Sequence, residues 1–133
     1  MSRAAAKTAG MATLRQRWER VGLGIRLAYN PQQPAVIRCW LGIGAQLAAD
    51  GGAAELVLLQ RSLRLLMQTA HDEALPWYWR SVCLEHTARP LSRLTTLLKL
   101  HDPLAVQCLH CSVDAAHRSL AARHAGCAAR RPE

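Results

Sequence analysis

Apolar residues recur at intervals of three and four along most of the chain, and this spacing strongly limits the folds open to it. On an α-helix such positions share one face, whereas a half-buried strand needs alternation with a period of two. No run of the sequence alternates in that way. Pro, Gly and Asp residues interrupt the periodic segments and divide them into about six. We therefore predict an all-α, single-domain bundle of about six helices arranged as antiparallel hairpins.

The length of 133 residues suits one ordinary domain with its own core. Residues 1–10 are small and basic, and we expect a disordered tail there. The helical domain is then 11–125, followed by a basic C-terminal tail over 126–133. The longest apolar runs are shorter than the roughly 20 residues that span a bilayer, and the N-terminus has no apolar signal region. We therefore expect a cytoplasmic protein without a transmembrane segment.

One stretch, ALPWYWRSVCLEHTARPL at 74–91, holds three of the six aromatic side chains in a protein without Phe. Pro76 favours a helix start, because the backbone N–H that it lacks would be unpaired there. At 100° per residue, Trp77 and Trp79 point to opposite sides of this helix. We therefore predict that this Trp-rich helix is central and is contacted from both sides. Pro90 should kink or restart the helix, since it removes a backbone donor.

This stretch, together with NPQQPAV at 30–36 and SLRLLMQTA at 62–70, resembles the FagA family. These are small proteins associated with the fumarase operon of pseudomonads. The resemblance covers roughly residues 14–94. It implies a bacterial cytosolic protein of the iron-starvation and oxidative-stress response, without an established biochemical activity. It transfers no catalytic residue to this chain.

Two Cys/His pairs form the sharpest chemical signal of the sequence. Cys83 and His86 are three residues apart, as are Cys108 and Cys111, so each pair shares one turn of a helix face. Two facing helices of this kind could close a tetrahedral Cys₃His site for zinc or iron, as in a metal or haem sensor. The alternative is a set of core cysteines with a satisfied core histidine. That interpretation is favoured, because structural zinc sites usually place a CxxC motif on a turn.

A second group of polar residues lies along the last predicted helix. Its histidines repeat every seven residues, with an acidic residue between the first two, and the members are His110, Asp114, His117 and His124. Such a stripe could hold a metal or titrate near neutral pH. The more frequent alternative is a solvated face of an amphipathic helix.

No nucleophile elbow or glycine-rich phosphate loop occurs, so we predict that the protein is not an enzyme. Trp and Arg are enriched at interaction hot spots, and Trp77, Tyr78 and Arg80 could therefore form a partner surface, with core packing as the alternative. The net charge of +8 suggests nucleic acid as a second alternative, although no cluster alternates Arg with exposed aromatic residues. The main prediction is a helical binding or adaptor protein whose partner is another protein. The oligomeric state stays open.

Overall fold

The structure, a computed structural model, describes residues 3–129 and contains six α-helices. They are α1 (Arg3–Arg26), α2 (Ala35–Ala49), α3 (Glu55–His71), α4 (Trp77–His86), α5 (Ala88–Leu98) and α6 (Pro103–Ala129). No strand occurs in this part of the chain. The predicted all-α bundle is confirmed.

Prolines set several of the helix ends. Pro34 and Pro76 immediately precede α2 and α4, and Pro103 is the first residue of α6. The α4 helix thus begins one residue after the predicted start. Between α4 and α5 only Thr87 is non-helical, because Pro90 lacks the N–H that would bond to the carbonyl of His86. Counted as one interrupted helix, α4 and α5 would reduce the bundle to five helices.

The central helix of the bundle is α3, which packs against each of the other five. This corrects the prediction that the Trp-rich helix is central. The α3 helix buries a broad stripe that includes Leu58, Leu63, Leu66 and Ala70. The α4 helix is shorter and packs closely against α2, α3, α5 and α6, and its Trp77 is 39% exposed. Of the two tryptophans predicted to face opposite layers, only Trp79 is buried, at 1% exposure.

The main core cluster contains two stacked tryptophans from different helices. The rings of Trp18 on α1 and Trp40 on α2 lie 5.2 Å apart between centroids, with 13° between their planes. The indole nitrogen of Trp40 donates a hydrogen bond of 3.0 Å to the backbone carbonyl of Trp18. A Cβ added at Gly22 would lie 2.9 Å from that nitrogen, and one added at Gly44 would lie 2.9 Å from the Trp18 nitrogen. The two glycines therefore allow α1 and α2 to enclose the tryptophan pair.

This close approach predicts opposite effects for two glycines of α2. We expect Gly44→Ala to destabilise the fold by about 1–3 kcal/mol, since the new methyl group overpacks a buried ring that cannot move aside. We expect Gly42→Ala to stabilise it by about 0.5–1 kcal/mol, because Ala favours a helix and no atom lies within 4 Å of the new Cβ. Urea denaturation followed by circular dichroism measures both values. Equal changes in the free energy of unfolding for the two substitutions would contradict the close packing of Gly44 against Trp18.

Helices extend past residues 11 and 125, the predicted limits of the helical domain, at both ends of the chain. The α1 helix begins at Arg3, so residues 3–10 are helical where we predicted a disordered tail. The α6 helix continues to Ala129, past the boundary predicted at 126. Alanine is common in both segments, and its high helix propensity favours a helix there. Residues 1–2 and 130–133 of the predicted tails lie outside the described residues. Between residues 3 and 129 no helix is long and apolar enough to cross a bilayer.

Candidate functional site

A groove of about 680 Å³ lies between α2 and α5, with α3 as its floor. Within the described residues α2 and α5 both pack on α3 but not on each other, and the space between them stays open. The α2 wall consists mainly of small residues, including Gly44, Ala45 and Ala48. The groove is therefore an open surface with a wall of small apolar side chains instead of a closed cavity.

The floor of the groove is apolar, because its polar groups are bonded within their own helices. Leu58 and Leu59 of α3 line it, together with Ser62. The hydroxyl of Ser62 donates to the carbonyl of Leu58 over 2.7 Å. On the α5 side the hydroxyl of Thr96 donates to the carbonyl of Ser92 over 3.2 Å. Because both hydroxyls are hydrogen-bonded to carbonyls of their own helices, they add little polarity to the groove.

The charged rim of the groove comes from α5 and from the start of α3. The guanidinium of Arg93 donates two hydrogen bonds to the Glu55 carboxylate, at 2.5 and 3.2 Å. The hydrogen bond from Arg93 lowers the pKa of Glu55, which keeps this carboxylate ionised at neutral pH. Arg89 lies one turn before Arg93 and also lines the groove, but no carboxylate of the described chain pairs with it. The rim therefore carries one uncompensated positive charge.

Other arginines are compensated within the fold. Four ion pairs join different parts of the bundle, namely Arg26–Asp72, Arg61–Glu19, Arg93–Glu55 and Arg123–Glu73. Each pair cancels one basic residue against one acidic residue, so the net charge of +8 remains on the other charged residues. The nucleic-acid alternative stays a prediction that gains no support from this distribution.

The four residues of the predicted metal site do not come together. Cys83 is buried in the core cluster that contains Trp18 and Trp40, whereas the neighbouring Leu84 packs with residues of α6. Cys108 and Cys111 are exposed on α6. The ring nitrogen Nδ1 of His86 donates to the Val82 carbonyl over 2.8 Å. Among the described residues, no three His, Cys, Asp or Glu side chains are placed to hold a metal ion, so the intramolecular Cys₃His hypothesis is not supported.

Burial makes Cys83 chemically distinct from the other described cysteines. Its side chain is fully buried, and burial raises its pKa to about 12. We expect Cys83 to resist maleimide at neutral pH in the native state and to react after unfolding, whereas Cys39, Cys108 and Cys111 react in the native state. Peptide mass spectrometry after timed labelling measures this order. Rapid labelling of Cys83 in folded protein would contradict its position in the core.

The predicted histidine stripe is an exposed face of α6, and its members do not assemble a metal site within the described chain. His110 contacts the Thr95 hydroxyl over 2.9 Å through Nε2. That hydroxyl already donates its hydrogen to the Leu91 carbonyl, so Nε2 of His110 is the donor to it. His124 stacks on Trp77, with 4.0 Å between the ring centroids. Asp114 and His117 are exposed, as expected for a solvated helix face.

The three residues of the predicted partner surface separate into two groups. Trp77 and Tyr78 are exposed, at 39% and 54%, and remain accessible to a partner. Arg80 is buried, and its Nε donates a 2.8 Å hydrogen bond to the Ala70 carbonyl near the end of α3. A carbonyl in the last turn of a helix lacks a helical partner, and Arg80 supplies one. Its assignment to a partner surface was wrong, because it stabilises the α3–α4 connection.

Sequence reasoning did not find the groove. The signal for its α2 wall was present as small residues at Gly44, Ala45, Ala48 and Ala49, which recur on one side of the helix. Such a stripe also fits close packing within the bundle. Only the arrangement of α2 and α5 on α3 shows that part of it stays uncovered.

Comparison of this chain with family models, with curated proteins and with solved structures finds no match.

Proposed function

We propose that the protein is a non-enzymatic binding protein that takes an amphipathic helix of a partner protein in the groove between α2 and α5. The observation that carries this proposal is an open apolar groove of about 680 Å³ with a single unpaired cation, Arg89, at its rim. Grooves of this kind accept the apolar face of a helix, whose side chains at i, i+3, i+4 and i+7 enter it as anchors.

The two walls suit a helix for different reasons. Small side chains on α2 let the backbone of a partner helix come close, and the Leu58 and Leu59 side chains below offer apolar contacts. On the other side, Arg89 of α5 lies at the rim of the groove, next to where the polar flank of a docked helix would lie. A Glu or Asp on that flank would form an ion pair at the rim, which favours the correct partner and its orientation.

The side chains of the groove support binding over catalysis. Its described lining contains no His or Cys, the residue types most often used as a general base or a thiol nucleophile. Its one carboxylate, Glu55, is held by Arg93, and the Ser62 hydroxyl donates to a carbonyl of its own helix. A hydroxyl without an adjacent base is a weak nucleophile.

Fluorescence anisotropy with a labelled helical peptide tests the proposal. The probe carries Leu at i, i+3, i+4 and i+7 and Glu on one flank, and we expect saturable binding that weakens at high salt. Arg89→Glu should weaken binding at least about tenfold, because it places like charges together at the rim. The matched control is Arg20→Glu on the exposed side of α1, which should leave the affinity unchanged. Equal loss in both variants, or no binding by the parent protein, would reject the proposal.

We further propose that this binding serves the bacterial response to iron limitation or oxidative stress. The support for this setting is the resemblance to the FagA family over roughly residues 14–94. We expect the amount of the protein in its host bacterium to rise when iron is removed with a chelator and to fall when iron is restored. Quantitative mass spectrometry of the two cultures measures this change, and a constant amount would contradict the setting but not the groove.

A further inference from the structure

The outward face of α6 carries a second regular stripe, opposite to the stripe that packs on the bundle. Its positions are spaced by four and three and are all exposed, and they are Leu104, Cys108, Cys111, Ala115, Arg118 and Ala122. The buried residues of α6, Val113, Ala116 and Leu120, lie on the other side. At 100° per residue, Cys111 points almost directly away from them. Apart from Arg118, the side chains of this stripe are apolar or small, so a second helix can approach it closely.

The two cysteines of this stripe are half of a tetrahedral thiolate site. Cys108 and Cys111 are free, exposed and one helical turn apart, so their sulfur atoms can bind one metal ion together. Zinc in a structural site takes four ligands, and soft thiolates select zinc over magnesium or calcium. The described residues of one chain provide no third ligand beside this pair. A second copy of the chain can supply the two missing ligands.

We propose that two copies of the protein pair their α6 helices and bind one Zn²⁺ through Cys108 and Cys111 of each copy. In a two-fold symmetric interface the same patch faces itself, so a pair of ligands on one copy becomes four in the dimer. An antiparallel arrangement centred between the two cysteines meets this condition. It also places Leu104 of one copy against the small Ala115 of the other.

The stripe carries no charge that would oppose a thiolate site. Zinc bound by four thiolates carries a net charge of −2, and the one charged residue of the stripe, Arg118, is positive and lies about two helical turns from Cys111. No carboxylate lies on the stripe itself. Asp102 is at the start of α6, where it accepts a hydrogen bond from the Ala105 N–H, and in the antiparallel arrangement it approaches the Arg118 end of the other copy. The groove between α2 and α5 stays free, so this inference does not depend on the proposed function.

Sedimentation velocity and zinc analysis of the full chain, in a phosphine reductant that excludes disulfides, test the proposal. With zinc at micromolar chain concentration we expect the mass to double from 14.7 kDa, with one zinc bound per two chains. The chelator EDTA should return the protein to the monomer. The double variant Cys108→Ser, Cys111→Ser should bind no zinc and stay monomeric, with an unchanged melting temperature because both side chains are exposed.

The matched control is Cys39→Ser, which removes an exposed free cysteine of α2 and should leave the zinc dimer intact. Three results would overturn the proposal. They are zinc bound at one per chain without a change in mass, a dimer that persists in EDTA or in the double variant, and no binding of zinc by the parent protein.

Discussion

Replacing Trp79 with Ala is expected to lower the free energy of unfolding by about 4–6 kcal/mol. The Trp79 side chain is 1% exposed, and its indole nitrogen donates a 2.8 Å hydrogen bond to the Ile25 carbonyl of α1. Truncation of a buried Trp costs about 3–5 kcal/mol through lost burial and the remaining cavity. The Ile25 carbonyl keeps its 3.1 Å hydrogen bond from the Ala28 N–H, so the lost indole donor adds only about 1 kcal/mol. The total is comparable with the lower end of the stability of about 5–15 kcal/mol of a small domain.

The same substitution two residues earlier is the matched control. Trp77 is 39% exposed, stacks on His124 and makes a long hydrogen bond of 3.5 Å to the Leu120 carbonyl. We expect Trp77→Ala to lower stability by about 1 kcal/mol or less, since it removes surface contacts and opens no internal cavity. Urea denaturation followed by circular dichroism measures both variants. Similar losses of stability for Trp77→Ala and Trp79→Ala would contradict the orientation of α4, in which Trp79 is buried and Trp77 is exposed.

Filling the groove is expected to abolish binding of the acidic helical peptide without unfolding the protein. Ala45 is exposed and lines the groove from α2, so Ala45→Trp places a large ring where the partner helix would lie. We expect the dissociation constant to rise about a hundredfold, equivalent to about 2.7 kcal/mol, while the melting temperature stays nearly constant. Fluorescence anisotropy and thermal denaturation of the same sample measure the two quantities.

The control for the filled groove is Ala121→Trp, which adds the same ring to an exposed position of α6. It should bind the peptide as tightly as the parent protein does. If the Ala45→Trp variant binds the peptide as tightly as the parent protein does, the peptide binds to another surface, and the proposal that the groove is the binding site is rejected.

The sequence was sufficient to predict the helices but not which of them is central. Apolar spacing and prolines predicted the all-α bundle and the interruption before Pro90, since both are local properties of the backbone. The position at the centre depends on how many neighbours a helix meets along its length, and α3 has 17 residues whereas α4 has 10. The aromatic content of residues 74–91 was therefore a poor guide to centrality.

The candidate sites, too, could be predicted only in part from the sequence. Spacing correctly placed Cys108 and Cys111 on one face of α6, but it could not show that this face points away from α4. A turn of 100° separates Cys83, which faces the tryptophan cluster, from Leu84, which faces α6. The groove exists because α2 and α5 stay apart on α3, and no local pattern reports such a separation.

An NMR titration of the isotope-labelled full chain with the acidic amphipathic peptide tests the central claim, that the α2–α5 groove binds a partner helix. We predict that the largest shifts of amide signals fall on three segments that line the groove, residues 44–49 of α2, 55–62 of α3 and 89–96 of α5. Signals of the outward face of α6 and of the exposed Trp77 and Tyr78 should stay in place. Shifts concentrated at either of those surfaces, or none at saturating peptide, would contradict the claim.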